Sequence, residues 1–330
     1  MKVFITDAHA FEREHFCRAN EGAGHDLNFY EGRLNANSAA MAQGYPCVCP
    51  FVNDSLNAEV LTTLAGNGTR LLALRSAGFN HVDLPTAKAL GLTVVRVPEY
   101  SPYSVAEHAM ALVLTLNRKI HRAYNRVREG NFSLEGLVGF DLHGKKVGVV
   151  GTGKIGSAFI RIARGFGCEV CAYDLHPDEA FAAQAGFRYC GLDELLSSCD
   201  VISLHVPLKA ETRHLIGEAA LAKMKPGVML INTSRGGLID TRALIGALKS
   251  GKLGAAGLDV YEEEEKYFFQ DLSGKVLSDD VLLRLMTFPN VVLTSHQGFL
   301  TREALTKIAE TTLRNISDFE KGQPLPNEVR

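Results

Sequence analysis

Three segments of this 330-residue chain carry side chains suited to chemistry, and each follows an apolar run typical of a buried strand. In the first, Arg235 lies in the sequence Ser-Arg-Gly-Gly. A guanidinium group binds a carboxylate through two parallel hydrogen bonds, and the two glycines allow the backbone to turn closely there. An isolated arginine usually serves solubility, but this setting favours an anion-binding role for Arg235.

The other two segments hold an acidic run and a histidine. The run is Glu262–Glu265, and four consecutive glutamates are usually solvated. One of them can still turn inward, and the pattern does not say which. His296 stands at the end of an apolar run and precedes a small residue and an aromatic one. An imidazole in that position can act as a general acid and base or can form a structural hydrogen bond, and the residues leave both interpretations open.

A glycine-rich turn in the middle of the chain has the pattern of a dinucleotide-binding fingerprint. Gly151, Gly153 and Gly156 form G-x-G-x-x-G between a predicted strand and a helix pattern. In this fingerprint the first glycine permits a tight turn, the second lets the backbone approach the pyrophosphate, and the third lets the helix pack on the strand. The alternative is a glycine-rich turn in an ordinary α/β fold.

Two further features of the fingerprint indicate which dinucleotide it binds. Lys154 and Ile155 open the helix, whose N-terminus favours the charge of a pyrophosphate. Asp174 closes the next apolar run, 18 positions after Gly156. Its carboxylate can accept hydrogen bonds from both ribose hydroxyls of the adenosine and would repel a 2′-phosphate. NAD is therefore the predicted cofactor, rather than NADP.

Strand and helix patterns alternate along most of the chain, which predicts parallel sheets covered on both faces. The predicted strands of the first series are Val3–Thr6, Leu27–Tyr30, Cys47–Cys49, Leu71–Leu74 and Val94–Val97. Those of the second series are Val147–Val150, Glu169–Tyr173, Val201–Leu204, Met229–Asn232, Gly254–Leu258 and Val291–Thr294. We predict an α/β fold with two Rossmann-like or flavodoxin-like domains. An NAD-binding domain at 101–298 would be inserted into a discontinuous substrate domain, built from 1–100 and 299–330.

Two predicted helices bear on assembly. One runs from about Ser104 to Glu129 and is apolar in its first half. It is either an ordinary buried helix or one that bridges domains or subunits. Because its apolar face exceeds what a single bridging helix needs, we predict a homo-oligomer, either a dimer or a tetramer. The other is the last helix, Arg302–Glu320, which is predicted to return to the first domain.

Composition excludes several classes of partner. Lys plus Arg is 35 and Asp plus Glu is 37, so no large basic field is present to attract nucleic acid. No apolar run reaches the length of a membrane span, and Asp7, Glu12 and Glu14 interrupt any signal peptide. Seven scattered cysteines, an odd number, fit a reducing compartment. We predict a cytoplasmic protein without membrane, nucleic-acid or metal partners.

Taken together, the motifs resemble those of the D-2-hydroxyacid dehydrogenases along the whole chain. G-T-G-K-I-G, N-T-S-R-G, G-L-D-V and S-H-Q-x-F-L-T occur in that family's order and spacing. The resemblance implies that Arg235, Glu264 and His296 form the catalytic set. Glu264 is selected because it lies five residues after Asp259, and the glutamates on either side of it are less favoured alternatives. The resemblance also implies a set of residues that line the cofactor site: Val206, Pro207, Thr212, Thr233, Ser234 and Asp259.

Within the family, the match is closest to the fermentative D-lactate dehydrogenases of bacteria, through L-R-S-A-G-F-N-H-V-D and V-P-E-Y-S-P. That resemblance implies the reduction of pyruvate to D-lactate by NADH. Arg235 and His296 would contact the substrate, with the backbone of Ala77 and Gly78 on its other side. Tyr100 and Phe299, together with Phe79, would wall its side-chain pocket. The alternatives are an NADH-sensing scaffold, like the transcriptional corepressors that share this fold, or a dehydrogenase for another D-2-hydroxy acid.

Overall fold

The computed structural model describes residues 1–329, which form two compact units. One unit, which we call the split unit, consists of Met1–Ser101 and the chain from Leu300 onward. The other, which we call the inserted unit, is Pro102–Phe299. Each boundary lies one residue from the boundary that the sequence predicts.

The split unit is built on a sheet of five short parallel strands. They are β1 (Lys2–Ile5), β2 (Asp26–Phe29), β3 (Cys47–Cys49), β4 (Leu71–Ala73) and β5 (Thr93–Val95). The strand order is β2-β1-β3-β4-β5. Its first helices are α1 (Ala10–Asn20), α2 (Ala58–Gly66) and α3 (Leu84–Ala89). Val3 and Ile5 point into one apolar core and Phe4 into another, so the sheet is covered on both faces. Double coverage explains why the inner strands β3 and β4 are continuous apolar runs, whereas the edge strand β2 carries Asp26 and Asn28.

The inserted unit holds a larger, seven-stranded parallel sheet. Its strands are β6 (Lys146–Val150), β7 (Glu169–Tyr173), β8 (Arg188–Tyr189), β9 (Val201–Leu204), β10 (Val228–Asn232), β11 (Leu253–Leu258) and β12 (Val291–Leu293). They lie in the order β12-β11-β10-β9-β6-β7-β8, which is the doubly wound nucleotide-binding order with one further strand. The order reverses between β6 and β9. Ligands of such sheets bind at that reversal, beyond the carboxyl ends of the strands.

Eight helices of the inserted unit cover this sheet or extend from it. They are α4 (Pro102–Arg118), α5 (Ile120–Arg128), α6 (Lys154–Gly165), α7 (Glu179–Ala185), α8 (Leu192–Ser198), α9 (Glu218–Lys223), α10 (Thr241–Lys249) and α11 (Asp280–Met286). Helix α4 packs against α6 and against strands β10, β11 and β12. It therefore runs beneath the strand ends that carry the candidate catalytic loops.

The last helix, α12 (Arg302–Glu320), belongs to the split unit, as the sequence predicts. Ala309, Leu313 and Ile316 of α12 pack into the same core as Val3 and Ile5. Helix α12 thus covers one face of the sheet that the first hundred residues form. The predicted α/β class, with two parallel sheets, is confirmed.

The prediction of one helix from Ser104 to Glu129 is wrong. The chain forms α4 and α5, and Lys119 between them has a left-handed backbone, with φ +50°. Nζ of Lys119 donates to the carbonyl oxygen of Val138 at 2.7 Å, and the side-chain amide of Asn117 both donates to and accepts from the backbone of Phe140. These bonds to a following segment hold the break, and the helical pattern alone does not contain them.

Two further findings concern β8 and the cysteines. The sequence did not predict β8, because two paired residues are too short for a periodic pattern. The Cys168-x-x-Cys171 pair does not form one site: Sγ of Cys168 donates to the carbonyl oxygen of Leu142, whereas Sγ of Cys171 lies 3.3 Å from Sγ of Cys199. Within residues 1–329, none of the helices is long and apolar enough to cross a membrane.

Candidate active site

The glycine-rich turn after β6 has the geometry that a dinucleotide needs. Gly151 has φ +95°, and a Cβ on it would lie 2.5 Å from the carbonyl oxygen of His205. A Cβ on Gly156 would collide with the carbonyl oxygen of Gly151. A Cβ on Gly153, in contrast, would meet no atom within 4 Å. The first and third glycines are thus required by close packing, and the second faces open space, so its approach to a pyrophosphate stays a prediction.

Asp174 is fixed at the end of β7 by hydrogen bonds to the same turn. One oxygen accepts from the backbone N–H of Thr152 at 2.6 Å and from its hydroxyl at 3.0 Å, and the other accepts from the N–H of His176 at 2.9 Å. Burial opposes the charged form, but these hydrogen bonds outweigh it and hold the pKa of Asp174 below its ordinary value. The carboxylate is therefore an anion at neutral pH, beside the turn where the ribose of an NAD would lie.

The other predicted cofactor residues lie on the loops after β9 and β10. Thr233 is buried, and its hydroxyl has no hydrogen-bond partner within residues 1–329, which fits a site completed by a ligand. The hydroxyl of Ser234 donates to the carbonyl oxygen of Leu204, and that of Thr212 donates to the carbonyl oxygen of Pro207. Ser234 and Thr212 thus shape these loops. Their contact with the cofactor, like that of Val206 and Pro207, stays a prediction.

His296 and Glu264 form a close pair. Nδ1 of His296 lies 2.7 Å from Oε1 of Glu264, and both side chains are mostly buried. Oε2 of Glu264 accepts from the backbone N–H of Tyr261 at 2.9 Å, so both carboxylate oxygens are held. The carboxylate fixes the imidazole through Nδ1 and leaves Nε2 for another partner.

The other three glutamates of the run make contacts that differ from those of Glu264. Glu262 accepts from Nε2 of His214 at 2.7 Å and from both the N–H and the hydroxyl of Thr241. Burial works against its charge, but the bonds from Thr241 and His214 hold the pKa of Glu262 below its ordinary value. Glu263 and Glu265 are exposed, and Glu263 pairs with Lys266. Of the four, Glu264 is the one placed on His296.

Arg235 lies in the turn that follows β10 and is partly buried. The side-chain amide of Asn232 donates to its carbonyl oxygen at 2.9 Å, which fixes the backbone, and its Nη1 donates to the carbonyl oxygen of Ser234. A Cβ on Gly236 would collide with the backbone of Tyr261, so the absence of a side chain lets this turn pass against the glutamate loop. Within residues 1–329, Arg235 forms no ion pair, and its charge is available to an anion.

The loop that carries His296 is held by Asp259, which was predicted to line the cofactor site. The N–H of His296 donates to the carbonyl oxygen of Asp259 at 2.7 Å. The Asp259 carboxylate is only 1% exposed and accepts bonds from Thr294, Gln297 and Gly298. The structure thus shows Asp259 organising the loop that carries His296, and its contact with a cofactor stays a prediction.

The predicted substrate residues of the split unit have ordered surroundings. The carbonyl oxygen of Ala77 accepts from Arg96 at 2.8 Å, and that of Gly78 accepts from the Ser76 hydroxyl at 2.7 Å. Phe79 packs against the core of this unit, with the guanidinium of Arg96 5.1 Å from its ring centre. The contacts of Ala77, Gly78 and Tyr100 with a substrate stay predictions.

Sequence reasoning missed an aromatic neighbour of the histidine in the inserted unit. The ring of Phe269 lies 6.1 Å from that of His296 and 6.4 Å from that of Phe299, so Phe299 belongs to an aromatic group beside the histidine. Phe269 has φ +63°, a rare backbone conformation for a bulky residue. No periodic signal marks it in the sequence.

Comparison with known proteins assigns the chain to a family. Residues 110–298 match the model of the D-isomer specific 2-hydroxyacid dehydrogenase, NAD binding domain. The D-lactate dehydrogenase of Escherichia coli is 51% identical over 329 aligned residues, which cover 100% of each chain. The chain belongs to the D-isomer specific 2-hydroxyacid dehydrogenases, and it is an oxidoreductase with an NAD-binding domain.

Two solved structures agree with this assignment. The apo-structure of the Escherichia coli D-lactate dehydrogenase superposes with a TM-score of 0.92 at 49% identity, and each chain is fully covered. The structure reported for the pyruvate reductase of Chlamydomonas reinhardtii superposes with a TM-score of 0.94 at 46% identity, covering 99% of this chain and 98% of that one. The match therefore includes both units.

Proposed function

We propose that this chain catalyses the reversible reduction of pyruvate to D-lactate with NADH. The observation that carries the proposal is the 2.7 Å pair of His296 and Glu264, in the same unit as an arginine, Arg235, that forms no ion pair within residues 1–329. Relatives named D-lactate dehydrogenase and pyruvate reductase support the choice of substrate.

The proposed roles follow from the chemistry of each side chain. Arg235 binds the substrate carboxylate with two parallel hydrogen bonds, which orients the neighbouring carbonyl group. A bound NADH supplies the hydride to the carbonyl carbon. His296, protonated, donates the proton on Nε2 to the carbonyl oxygen, and in the reverse direction it accepts that proton.

Glu264 contributes orientation and charge. Its bond to Nδ1 directs Nε2 away from the carboxylate, and its negative charge favours the imidazolium that reduction requires. The backbone bond from Tyr261 holds the carboxylate while the histidine changes its charge. Glu264 therefore acts on the proton transfer through His296, whereas Arg235 acts on the position of the substrate.

Aromatic residues near His296 favour a substrate with a small, uncharged side chain. Phe269 stands beside the imidazole and Phe299 stands beside Phe269, and an aromatic surface favours a methyl group over a charged group. This favours pyruvate over a 2-oxo acid with a second carboxylate. We also propose a cytoplasmic location, which the seven free cysteines support.

Turnover with a panel of 2-oxo acids tests the function. The purified protein is assayed with NADH and pyruvate, 2-oxobutyrate, oxaloacetate or phenylpyruvate, and the product is resolved on a chiral column. We expect the highest kcat/KM with pyruvate, and D-lactate as the product. NADH binding without turnover of any 2-oxo acid would instead indicate a sensing scaffold.

We further propose that the protein is a homo-oligomer, either a dimer or a tetramer, in which a second copy covers α5 and the segment after it. Six large apolar side chains there are each more than half exposed: Ile120, Tyr124, Val127, Phe132, Leu134 and Val138. Apolar groups of this kind on a surface commonly mark an interface.

Light scattering at micromolar concentration tests the assembly, since one chain has a mass of 35.9 kDa. The double variant Phe132→Ser/Val138→Ser should shift the mass towards that of one chain. Val276→Ser, at an equally exposed apolar residue elsewhere, is the matched control and should leave the mass unchanged. A single-chain mass for the unmodified protein would contradict the proposal.

A further inference from the structure

We infer that His108, on helix α4, is a positioning residue that holds the acid–base loop by donating a hydrogen bond to the Asp259–Thr294 pair. The inference rests on the proposed role of His296 in the reaction. It adds a residue outside the motifs that identify the family, located on the helix beneath the catalytic loop.

The catalytic loop has a conformation that needs external support. His296 has φ +54°, in the left-handed region that side chains other than glycine adopt rarely. Its backbone N–H donates to the carbonyl oxygen of Asp259, and the N–H groups of Gln297 and Gly298 donate to the two Asp259 carboxylate oxygens at 2.9 and 2.8 Å. Asp259 therefore holds three consecutive residues of this loop: His296 through its backbone carbonyl oxygen, and Gln297 and Gly298 through its buried carboxylate.

His108 lies against that carboxylate from helix α4. Its Nε2 is 3.2 Å from Oδ1 of Asp259 and 3.1 Å from the hydroxyl oxygen of Thr294. The Thr294 hydroxyl donates to the same Oδ1 at 2.5 Å, so its oxygen can accept from His108. Both neighbours of Nε2 are oxygen atoms that accept, and Nε2 must therefore carry the proton.

Helix α4 packs directly beneath the loop at this point. A Cβ on Gly298 would lie 3.0 Å from Oδ2 of Asp259, 3.6 Å from the His108 ring and 3.7 Å from Val105. Only 16% of the His108 side chain is exposed. The small residue at 298 thus lets α4 approach closely enough for His108 to reach the carboxylate.

The charge of Asp259 makes this anchor effective. Burial opposes the ionisation of Asp259, but its pKa is still held below the ordinary value. The opposing contributions are the hydrogen bond and charge attraction of His108, the hydrogen bond from Thr294 and the charge attraction of His296. Two titratable groups thus face Asp259: His108 from α4 and His296 from the loop. Glu264 faces His296 from the other side.

Removing the hydrogen bond from His108 would change the alignment of His296. With the donor at 108 removed, Oδ1 keeps Thr294 and Gln297, but the carboxylate is no longer held towards α4. The bonds that the Gln297 and Gly298 N–H groups donate to this carboxylate then no longer fix the loop that keeps His296 in its left-handed conformation. Misplacing an acid–base group by about 1 Å can lower the rate of the chemical step by about 100-fold.

Two substitutions of His108 show whether it acts as a hydrogen-bond donor or through a positive charge. Gln places an amide donor near the position of Nε2 but does not titrate, whereas Ala provides no donor. We expect His108→Gln to keep kcat and the pH profile of pyruvate reduction within about threefold of the unmodified protein. We expect His108→Ala to lower kcat by about 10- to 100-fold, with little change in the KM for pyruvate, because Arg235 is untouched.

Two controls accompany the pair. Glu107→Ala changes the exposed neighbour on the same helix and should leave kcat unchanged. NADH affinity and Tm are measured for every variant, so that a general loss of folding is recognised. If His108→Ala fails to fold, His108→Gln and Thr294→Val still test the inference, since Thr294→Val removes the other side-chain donor to Oδ1 and should likewise lower kcat.

The kcat values decide the outcome. Retained kcat in His108→Ala, or equal losses in the Ala and Gln variants, would overturn the inference. A pH profile of His108→Gln displaced to higher pH would show that His108 acts through its charge, and would also overturn it. If the unmodified protein prefers another 2-oxo acid, the pyruvate assignment alone fails, because the His108 comparison is then made with that acid.

Discussion

Glu262 and His214 lie 2.7 Å apart, and their contact explains how the acidic run is used. Glu262 also accepts two bonds from Thr241 at the start of α10. This residue therefore fixes the loop to His214 and to the start of α10, and Glu264, two positions on, faces His296. An acidic run that looks uniform in sequence thus contains one structural anchor and one partner of the histidine.

The first prediction concerns which glutamate acts on His296. Glu264→Gln removes the carboxylate that holds Nδ1 of His296, so kcat for pyruvate reduction should fall by about tenfold or more. Glu263→Gln and Glu265→Gln change exposed neighbours and are matched controls that should leave kcat unchanged. A loss of kcat in either control, with none in Glu264→Gln, would contradict this assignment.

The second prediction concerns the anion clamp. Arg235→Lys keeps the positive charge but loses the planar fork, so kcat/KM for pyruvate should fall by about 100-fold or more, on the scale of losing a charged, bidentate contact. NADH affinity, measured by fluorescence titration, should stay within about twofold, since the fingerprint turn is untouched. Pyruvate kinetics equal to those of the unmodified protein would exclude Arg235 as the clamp.

The third prediction concerns the cofactor. Because Asp174 is held as an anion by Thr152 and His176, it should repel a 2′-phosphate throughout the neutral range. Asp174→Ala should weaken NADH and lower the ratio of kcat/KM for NADH to that for NADPH by about tenfold or more, the effect of about 1.4 kcal/mol. An unmodified protein that already prefers NADPH would show that the interpretation of Asp174 is wrong.

Most of the nucleotide-binding part can be predicted from the sequence because its constraints are local. A tight turn at Gly151 and the packing at Gly156 each require a residue without a side chain, so the requirement is visible as a glycine. Strand positions follow from apolar runs that are buried on both faces. The end of β7 places Asp174 beside the turn for the same local reason.

The rest depends on contacts between distant residues. The break at Lys119 is held by backbone atoms of a later segment, and the selection of Glu264 depends on the bonds that Glu262 makes to His214. His108 follows the exposed Glu107 on α4, so a polar residue at this position is a weak signal by itself. Its partner Asp259 is about 150 positions away along the chain, so periodicity carries no information about the pair.

The fourth prediction uses a buried carboxyl group of the split unit. Burial raises the pKa of Asp54 to about 6, although bonds from Thr6, Leu34 and Phe51 oppose the increase. The folded state thus binds this proton more tightly than the unfolded state, whose value is near 3.8. The resulting stabilisation is fully present below that value and is lost as pH rises through about 6.

Asp54→Asn isolates this effect because the amide does not titrate. We expect the Tm of the unmodified protein, relative to that of Asp54→Asn, to decline between pH 4 and pH 7. For a shift of about two pKa units, the loss in free energy of unfolding is about 3 kcal/mol. The difference should then be constant above pH 7. A difference that does not change with pH would mean that Asp54 ionises normally in the folded protein.

The most direct test of the central claim is the reduction of pyruvate by His296→Ala, with the product resolved by chirality. The unmodified protein should form D-lactate, and the variant should lose about 100-fold or more of its kcat, the usual contribution of a positioned acid–base group. NADH should still bind, because the fingerprint turn and Asp174 follow β6 and β7 and are unchanged by the substitution. Retained turnover in the variant, or L-lactate from the unmodified protein, would contradict the proposed function.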